Sequence, residues 1–278
     1  MEKVRQQLQK QGYTIVSGVF SKEKVDKARQ LFFDWFTSAP DVANHHEHSS
    51  FQGLMKFGEV GHQKHTWFIK TDPDVQRVFK ELWKTEDLVT GFDGCCWIPS
   101  EWVGEDICWT HTDQSAAAKG LKCIQGFVSL TDNVDRSFVV YEGSHLLHEP
   151  YMKQHGFTGA RNWRLISKDY LEEIQDTRKV LTVRAGDMVL WDSRTFHQNQ
   201  FGCLPEERLV QYVCFLPKHH PSNTDGMKRT RQKYFEKRRT TSHWPYPLSV
   251  NAAQPPDRIL TVPTVDLSEY EEEIQKIL

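Results

Sequence analysis

The sequence has no apolar run that approaches the ~20 residues a bilayer-spanning helix needs. Its N-terminal stretch, MEKVRQQLQKQGY, is polar and lacks the apolar centre of a signal peptide. The formal net charge at pH 7 is only -2, which gives no general attraction to nucleic acid or to an anionic membrane. We therefore expect a cytoplasmic protein with no membrane partner.

The cysteines include no C-x-x-C pair, which excludes the zinc and redox motifs of that spacing. A chain of 278 residues can bury a sizeable core and does not depend on disulfides. Several cysteines stand in apolar, strand-like context, where a free thiol acts as a small core residue. We predict reduced thiols at all six: Cys95, Cys96, Cys108, Cys123, Cys203 and Cys214.

Hydrophobic periodicity divides a single predicted domain, residues 1–278, into three parts. Residues 1–87 are predicted to be mainly helical. Residues 88–217 contain short runs rich in Val, Ile, Phe and Tyr between Gly, Asp and Pro turns, with a helical and loop insertion around 146–178. Residues 218–278 combine a basic stretch with a closing helix. We therefore expect a mainly β fold with flanking helices, arranged as a sandwich or barrel.

The N-terminal part contains a cluster of residues that, by composition, is a candidate metal site. The polar stretch 43–62 is predicted to be a long loop, between a helix capped by Ser21 and another begun by Asp72-Pro73. Its cluster His45-His46-Glu47-His48 offers metal ligands. Because a loop would not fix their geometry, a solvated loop is favoured over a metal site.

The C-terminal part raises the question of a nucleic-acid partner. Its basic stretch, residues 228–239, is predicted to be partly helical, and a solvated helix face is favoured over a nucleic-acid patch. The run SEYEEEIQKIL predicts a closing helix opened by a Ser268/Glu271 capping box.

The strongest chemical signal is a His-x-Asp pair, His111 and Asp113, followed downstream by His197. Residues i and i+2 of a strand point to the same face, so the pair can converge on one ion that His197 of a neighbouring strand also binds. Two histidines and one carboxylate leave three octahedral positions open, which suits non-haem Fe(II) that activates O2. Zinc prefers four-coordinate sites with imidazole and thiolate, and no cysteine is placed to join.

Arg208 begins the next strand-like run, RLVQYVCFLP, eleven residues after His197. Positions 208, 210, 212 and 214 would share one strand face, and a charge among mostly apolar neighbours is costly to bury unless a ligand carboxylate pairs with it. The far carboxylate of an iron-chelating α-keto acid would be such a partner, and the planar guanidinium suits it better than a lysine would. We favour this role over an exposed arginine at the end of the strand.

The chain resembles the phytanoyl-CoA dioxygenase-like family of Fe(II)/2-oxoglutarate-dependent oxygenases. The resemblance runs from about residue 8 to residue 217 and rests on QKQGYTIVSGVFSKEKVDKAR, HTDQ, YEGSH, AGDMVLWDSRTFHQN and Arg208. It implies a double-stranded β-helix (jelly roll), iron bound by His111, Asp113 and His197, and 2-oxoglutarate anchored by Arg208.

The chain departs from the family pattern before its GSH, where Glu142 replaces the usual proline in DRSFVVYEGSH. This departure concerns the local loop shape and substrate contacts rather than the metal ligands. Because the carboxylate is Asp113 rather than an alanine or glycine, the halogenase variant of the chemistry is disfavoured.

Three further residues are assigned to co-substrate binding. Gln125, on the strand after the His-x-Asp pair, either helps to hold 2-oxoglutarate or is a buried structural glutamine. Asn199, two residues after His197, either hydrogen-bonds the co-substrate or shapes the turn. Trp109, two residues before His111, is expected to form part of the site wall.

These features together predict a non-haem Fe(II)- and 2-oxoglutarate-dependent dioxygenase that hydroxylates a small molecule and converts 2-oxoglutarate and O2 to succinate and CO2. Arg161, Trp163 and Arg164 either contact an anionic or aromatic substrate or form a surface loop. The alternatives are a jelly-roll metalloenzyme of another class, an oxygenase acting on nucleic acid or protein, and a binding protein that has lost catalysis. The intact triad and Arg208 argue against the last.

Overall fold

Two antiparallel sheets form the centre of the computed structural model, which describes residues 1–249 and 260–278. The predicted C-terminal part therefore includes a segment, 250–259, that lies outside the described residues. The larger sheet comprises β1 (Tyr13–Val16), β2 (Leu54–Met55), β3 (Leu88–Thr90), β4 (Cys95–Ile98), β6 (Ile124–Ser129), β10 (Met188–Asp192) and β12 (Arg208–Pro217). Its strand order is β1-β10-β6-β12-β4-β2, with β3 paired to β12.

The smaller sheet comprises β5 (His111–Thr112), β7 (Phe138–Tyr141), β8 (Arg164–Leu165), β9 (Arg178–Val180) and β11 (His197–Asn199), in the order β8-β5-β11-β7-β9. Side chains of both sheets meet in one buried cluster, in which Phe138 and Val140 of β7 join Phe127, Trp191 and Tyr212 of the larger sheet. Two facing antiparallel sheets with helices outside them form a jelly roll, which confirms the predicted fold class.

The strand registers place the predicted site residues close together. In the smaller sheet, His197 of β11 lies opposite His111 of β5. In the larger sheet, Gln125 of β6 lies between its partners Trp191 of β10 and Cys214 of β12.

Helices cover the outer face of the larger sheet and the ends of the sandwich. They are α1 (Glu2–Gln11), α2 (Lys22–Ser38), α3 (Pro40–Ser49), α4 (Lys64–Lys70), α5 (Pro73–Trp83), α6 (Ser144–Gln154), α7 (Lys168–Glu173), α8 (Asp225–Glu236) and α9 (Glu271–Ile277). Phe32 of α2, Trp67 of α4 and Phe79 of α5 belong to the largest buried cluster, together with Leu190 and Val213 of the sheet. The apolar helix faces therefore pack on the sheet, as amphipathic helices do.

The predicted caps of two helices are confirmed. The Ser21 side chain accepts a hydrogen bond from the Lys24 amide at the start of α2, and Asp72 accepts from the amides of Asp74 and Val75 at the start of α5. These bonds satisfy amides that have no partner inside the helix.

The prediction that residues 43–62 form a long loop was wrong for residues 43–49, because the whole histidine cluster lies on α3. Pro40 occupies the first turn of this helix, where its missing amide proton costs nothing. The buried side of α3 presents His46, whose ring stacks on Trp97 and Trp102 and whose Nε2–H donates to the Trp97 carbonyl at 2.9 Å. His46 is therefore a packed core residue rather than a metal ligand.

The C-terminal part contains the two predicted helices, but the predicted capping box is absent. Ser268 lies in a 3-10 turn ahead of α9 and makes no side-chain cap, and Glu271 is the first residue of the helix. The basic stretch forms α8 and is not solvated throughout, because Arg231 is completely buried. Its guanidinium donates to the carbonyls of Leu278 and Pro245, so it holds the C-terminal segment in place.

All six cysteines are free, as predicted. Cys123 and Cys214 are buried neighbours with their sulfur atoms 3.3 Å apart. Across the described residues, every helix falls short of the length and apolarity required to cross a membrane.

Candidate metal centre and its cavity

His111, Asp113 and His197 converge at the junction of β5 and β11, as the sequence predicts. The Asp113 carboxylate lies 3.7 Å from Nε2 of His111 and 3.4 Å from Nε2 of His197. One ligand atom from each of the three residues lies within 4.8 Å of the other two. This separation allows one ion to contact all three side chains.

Backbone carbonyls orient both imidazole rings. Nδ1–H of His111 donates to the Trp109 carbonyl at 3.2 Å, and Nδ1–H of His197 donates to the Thr195 carbonyl at 2.8 Å. Each Nε2 then presents its lone pair toward Asp113. This arrangement, in which the outer nitrogen fixes the tautomer, is the usual one for histidine ligands.

The electrostatics of the site favour the protonation states that a metal needs. Burial, with a smaller contribution from His197, lowers the pKa of His111 to about 3. Burial alone would raise the pKa of Asp113, but His111 and His197 outweigh it and hold that pKa well below its usual range. A neutral imidazole and an ionised carboxylate are the forms that bind a divalent ion.

Gln125 contacts the carboxylate of the triad. Its Nε2–H donates to Oδ2 of Asp113 at 3.1 Å, and the Asp113 amide donates to the Ser193 carbonyl at 3.0 Å. The first bond orients the carboxylate, and the second fixes the backbone that carries it. Oε1 of Gln125 is buried and has no hydrogen-bond partner within residues 1–249 and 260–278.

Arg208 is completely buried on β12 and faces the space between the sheets. Its Nη2 donates to Oδ1 of Asn199 at 3.1 Å, and Asn199 in turn donates to the Tyr212 hydroxyl at 2.8 Å. Nε and Nη1 of Arg208 have no partner in the part of the chain that the structure describes. A buried guanidinium with two free donors is costly unless a ligand anion binds it.

His111, Asp113 and His197 all line a cavity of about 590 Å³. Trp109 lines it and stacks on His111, with ring centres 4.9 Å apart. The Trp109 indole N–H is already donated to the Asn199 carbonyl, so Trp109 contributes an aromatic surface rather than a free donor. Trp163, from the predicted insertion, also lines the cavity; its ring centre lies 5.6 Å from that of His111, and the residue is 39% exposed.

The cavity has a second side that the sequence did not predict. It is formed by the C-terminal wall, which we define as Thr241, Ser242, His243, Trp244, Pro247 and Ser249. The His243 ring makes a T-shaped contact with the Tyr212 ring, with ring centres 5.1 Å apart. These residues belong to no motif and reach the site through tertiary contacts alone.

Lys56, which lies just after β2, is another lining residue that sequence reasoning missed. Burial lowers the pKa of its ammonium, whereas the Asp113 carboxylate acts in the opposite direction. A lysine in a loop gives no sequence signal that separates it from the other surface lysines.

The described residues fit the cofactors that the resemblance implies. Two imidazoles and one carboxylate form the donor set of the facial triad that suits non-haem iron. The two unpartnered donors of Arg208 match a carboxylate of a keto diacid.

The fold and these side chains define a jelly-roll protein in which two histidines and one carboxylate lie close enough to hold one metal ion. The family described as phytanoyl-CoA dioxygenase (PhyH) matches residues 8–200, well over half of the chain. The chain belongs to the phytanoyl-CoA dioxygenase family. The resemblance noted in the sequence is thereby confirmed.

Individual relatives agree with this membership. The chain is 29% identical over 269 residues to the Ava biosynthesis cluster protein O of Aspergillus versicolor, an alignment that covers 87% of this chain and 85% of that protein. Among solved structures, EctD from S. alaskensis, with 2-oxoglutarate and 5-hydroxyectoine, is similar at a TM-score of 0.55, with 12% identity and coverage of 78% and 76%. SnoK, a non-haem α-ketoglutarate-dependent carbocyclase from nogalamycin biosynthesis, is similar at a TM-score of 0.55 and 17% identity. The match covers 83% of this chain and 90% of SnoK. At these identities, the solved structures support the fold.

Proposed function

We propose that this chain is an Fe(II)- and 2-oxoglutarate-dependent oxygenase that acts on a small molecule. The observation on which the proposal mainly rests is the triad in the cavity together with a fully buried arginine, Arg208, that has two unpartnered donors and bonds the cavity-lining Asn199. When bound, iron and 2-oxoglutarate supply an O2-consuming oxidation that yields succinate and CO2. A jelly-roll metalloenzyme without a keto-acid co-substrate would have no use for a buried, unpaired Arg208.

Each residue of the metal end, which we define as His111, Asp113 and His197, has a distinct task in this proposal. The two imidazoles donate Nε2 lone pairs and Asp113 contributes the charge. Gln125 keeps the Asp113 carboxylate in the orientation that the ion needs. Such outer contacts typically change metal affinity 10–100-fold.

The co-substrate is held by Arg208 in this proposal. Its free Nε and Nη1 would bind the far carboxylate, while Asn199 holds Nη2 and thereby sets the plane of the guanidinium. Asn199 is accordingly a positioning residue for Arg208. Trp109 covers His111 and limits the access of water to the metal.

A small-molecule substrate suits the cavity better than a macromolecule does. Its volume of about 590 Å³ lies in the usual range for small-ligand sites, and its lining is rich in aromatic rings. The solved relatives described above are associated in their descriptions with 5-hydroxyectoine and with nogalamycin biosynthesis, which are small molecules. The buried Arg231 also removes one of the cations that a nucleic-acid surface on α8 would use.

We propose hydroxylation as the outcome of the reaction. The Asp113 carboxylate occupies a ligand position, so the triad is complete. The carbocyclase SnoK shares this fold, so a ring closure is the alternative outcome, and it depends on how the substrate lies rather than on the metal end.

An anaerobic titration of the metal-free protein with Fe(II) and 2-oxoglutarate tests the proposal. We expect a weak visible charge-transfer band, which a keto acid chelated to Fe(II) produces. The band should be absent in His197→Ala and should need much more 2-oxoglutarate in Arg208→Ala. Arg29→Ala serves as a control, because Arg29 pairs with Glu207 outside the cavity. Iron binding without a band in wild type would overturn the oxygenase assignment.

A further inference from the structure

A buried chain of polar contacts ends at the cavity on the side formed by the C-terminal wall. Lys70 of α4 is completely buried, and its ammonium contacts Oδ1 of Asp93 at 2.5 Å and the Gly91 carbonyl at 2.8 Å. The other carboxylate oxygen of Asp93, Oδ2, accepts a hydrogen bond from Nδ1–H of His243 at 3.2 Å. Three residues from separate parts of the chain thus form the series Lys70, Asp93, His243.

The series is built to orient one imidazole. The Asp93 side chain is 2% exposed, and Lys70 balances its charge, so the carboxylate remains an acceptor in a fixed position. An acceptor at Nδ1 fixes the tautomer that carries its proton there and leaves the lone pair on Nε2. Tyr212 and Trp191 pack against the ring in T-shaped contacts, which restrict its rotation.

The second ring nitrogen of His243 is left for a ligand. His243 lines the cavity, and 22% of its side chain is exposed there. Within the described part of the chain, Nε2 makes no hydrogen bond. The metal end does not use this residue, and the segment that contains it lies beyond residues 8–200, where the family matches.

We propose that His243 is a substrate-binding residue that accepts a hydrogen bond from a hydroxyl group of an aromatic substrate. The aromatic part of this assignment follows from the other lining residues, among them Trp109, Trp163, Trp191 and Trp244. The hydroxyl part of the assignment follows from the oriented Nε2 lone pair, which can accept a hydrogen bond from an O–H group. Asp93 is then a positioning residue that acts through His243.

This inference extends the proposed function to the substrate, and it rests on that function because only an enzyme would bind a substrate in the cavity. It also explains how an oxygenase of this family could select among aromatic compounds. A site built to pair with a hydroxyl discriminates strongly against an analogue that lacks it, because the protein's own polar group is then left unpaired.

The test compares the binding of 2-naphthol and naphthalene by equilibrium dialysis. The protein is loaded with Fe(II) and 2-oxoglutarate under anaerobic conditions, so that no turnover occurs. We expect 2-naphthol to bind about tenfold more tightly than naphthalene, the upper range for one neutral hydrogen bond. No measurable binding of 2-naphthol to wild type, or equal binding of the two probes, would overturn the proposal.

Two substitutions of His243 separate ligand binding from a purely structural role. His243→Asn places an amide near the position of Nδ1, so it keeps a donor for Asp93 and loses the acceptor in the cavity. His243→Gln places its amide near the position of Nε2 and loses the contact with Asp93. The proposal predicts that the preference for 2-naphthol falls to about twofold or less in His243→Asn and is better retained in His243→Gln.

The opposite ranking of the two variants, or an unchanged preference in His243→Asn, would show that His243 serves only to pair with Asp93. The visible charge-transfer band is recorded on the same samples. If the band is absent while the preference for 2-naphthol follows the predicted ranking, the cofactor assignment fails and the role of His243 stands. If the band is present without the preference for 2-naphthol, the role of His243 fails and the cofactor assignment stands.

Discussion

The two ends of the cavity are built in different ways. The metal end comes from short strands of the jelly roll, within the residues that the family matches, and its two histidines are oriented by carbonyls two residues earlier in the chain. The C-terminal wall comes from a segment after β12, outside those residues. Asp93, 150 residues away in the sequence, bonds His243 of this wall, and Arg231 of α8 bonds the neighbouring Pro245 carbonyl.

This difference separates the chemistry from the selection of the substrate. The metal end offers a donor set that is independent of the substrate, whereas the C-terminal wall faces the rest of the cavity with groups that only a particular ligand would use. Function on a common fold resides in such local sites. We therefore expect substitutions at the two ends to affect different measured quantities.

The largest expected effect is at the metal end. Asp113→Ala removes the only carboxylate of the triad, so we expect the O2-dependent conversion of 2-oxoglutarate to succinate to fall by more than about 100-fold, beyond the range for outer contacts of a metal. Asp26→Ala, which alters an exposed helix pair, is the matched control. Retention of succinate formation in Asp113→Ala would show that the metal binds elsewhere.

The second prediction concerns the polar series behind the C-terminal wall. Lys70→Met leaves the buried Asp93 carboxylate without its cation, so we expect the free energy of unfolding in urea to fall by about 3–5 kcal/mol. Lys70→Met combined with Asp93→Asn removes the uncompensated charge and should recover most of the loss. Lys22→Met, at an exposed ion pair, should leave the urea midpoint unchanged. If the double variant is no more stable than Lys70→Met, then Asp93 is not held as an ion.

The third prediction returns to the co-substrate. Arg208→Lys keeps the charge but loses the planar fork, so we expect the 2-oxoglutarate concentration at half-maximal succinate formation to rise by about 30-fold. Iron affinity should change little, because Arg208 contacts Asn199 and not the triad. An unchanged 2-oxoglutarate requirement would contradict the role of Arg208. Arg29→Lys, outside the cavity, provides the comparison.

The smallest expected effect is at Gln125. Gln125→Met removes the hydrogen bond to Asp113 while keeping a similar volume, so we expect the Fe(II) concentration at half saturation to rise about tenfold. The preference for 2-naphthol over naphthalene should remain, since Gln125 does not contact His243. A loss of that preference would mean that the two ends of the cavity are not independent.

The sequence was sufficient to predict that His111, Asp113 and His197 converge, because the signals for these residues are local. His111 and Asp113 are two residues apart, and the run that leads to His197 has a strand pattern that places it beside them. The buried position of Arg208 could be predicted because this residue begins a strand whose inward face is otherwise mostly apolar. Each of these inferences depends on spacing along a strand, which sequence displays directly.

The C-terminal wall and helix α3 could not be predicted, because they depend on tertiary contacts that leave no local pattern in the sequence. His243 stands in the run TTSHWPYP, which gives no period, and its partner Asp93 is 150 residues away in the sequence. α3 was missed because its buried side presents His46, which is stabilised by stacking on Trp97 and Trp102 rather than by an apolar stripe. The side of the cavity that we assign to the substrate was therefore outside the reach of sequence patterns.

A crystal structure of the anaerobic complex with Fe(II) and 2-oxoglutarate tests the central claim most directly. We predict that the ion contacts His111, Asp113 and His197, that the far carboxylate of 2-oxoglutarate contacts Arg208, and that His243 remains free to face the rest of the cavity. An ion bound by other residues, or 2-oxoglutarate bound away from Arg208, would contradict the account.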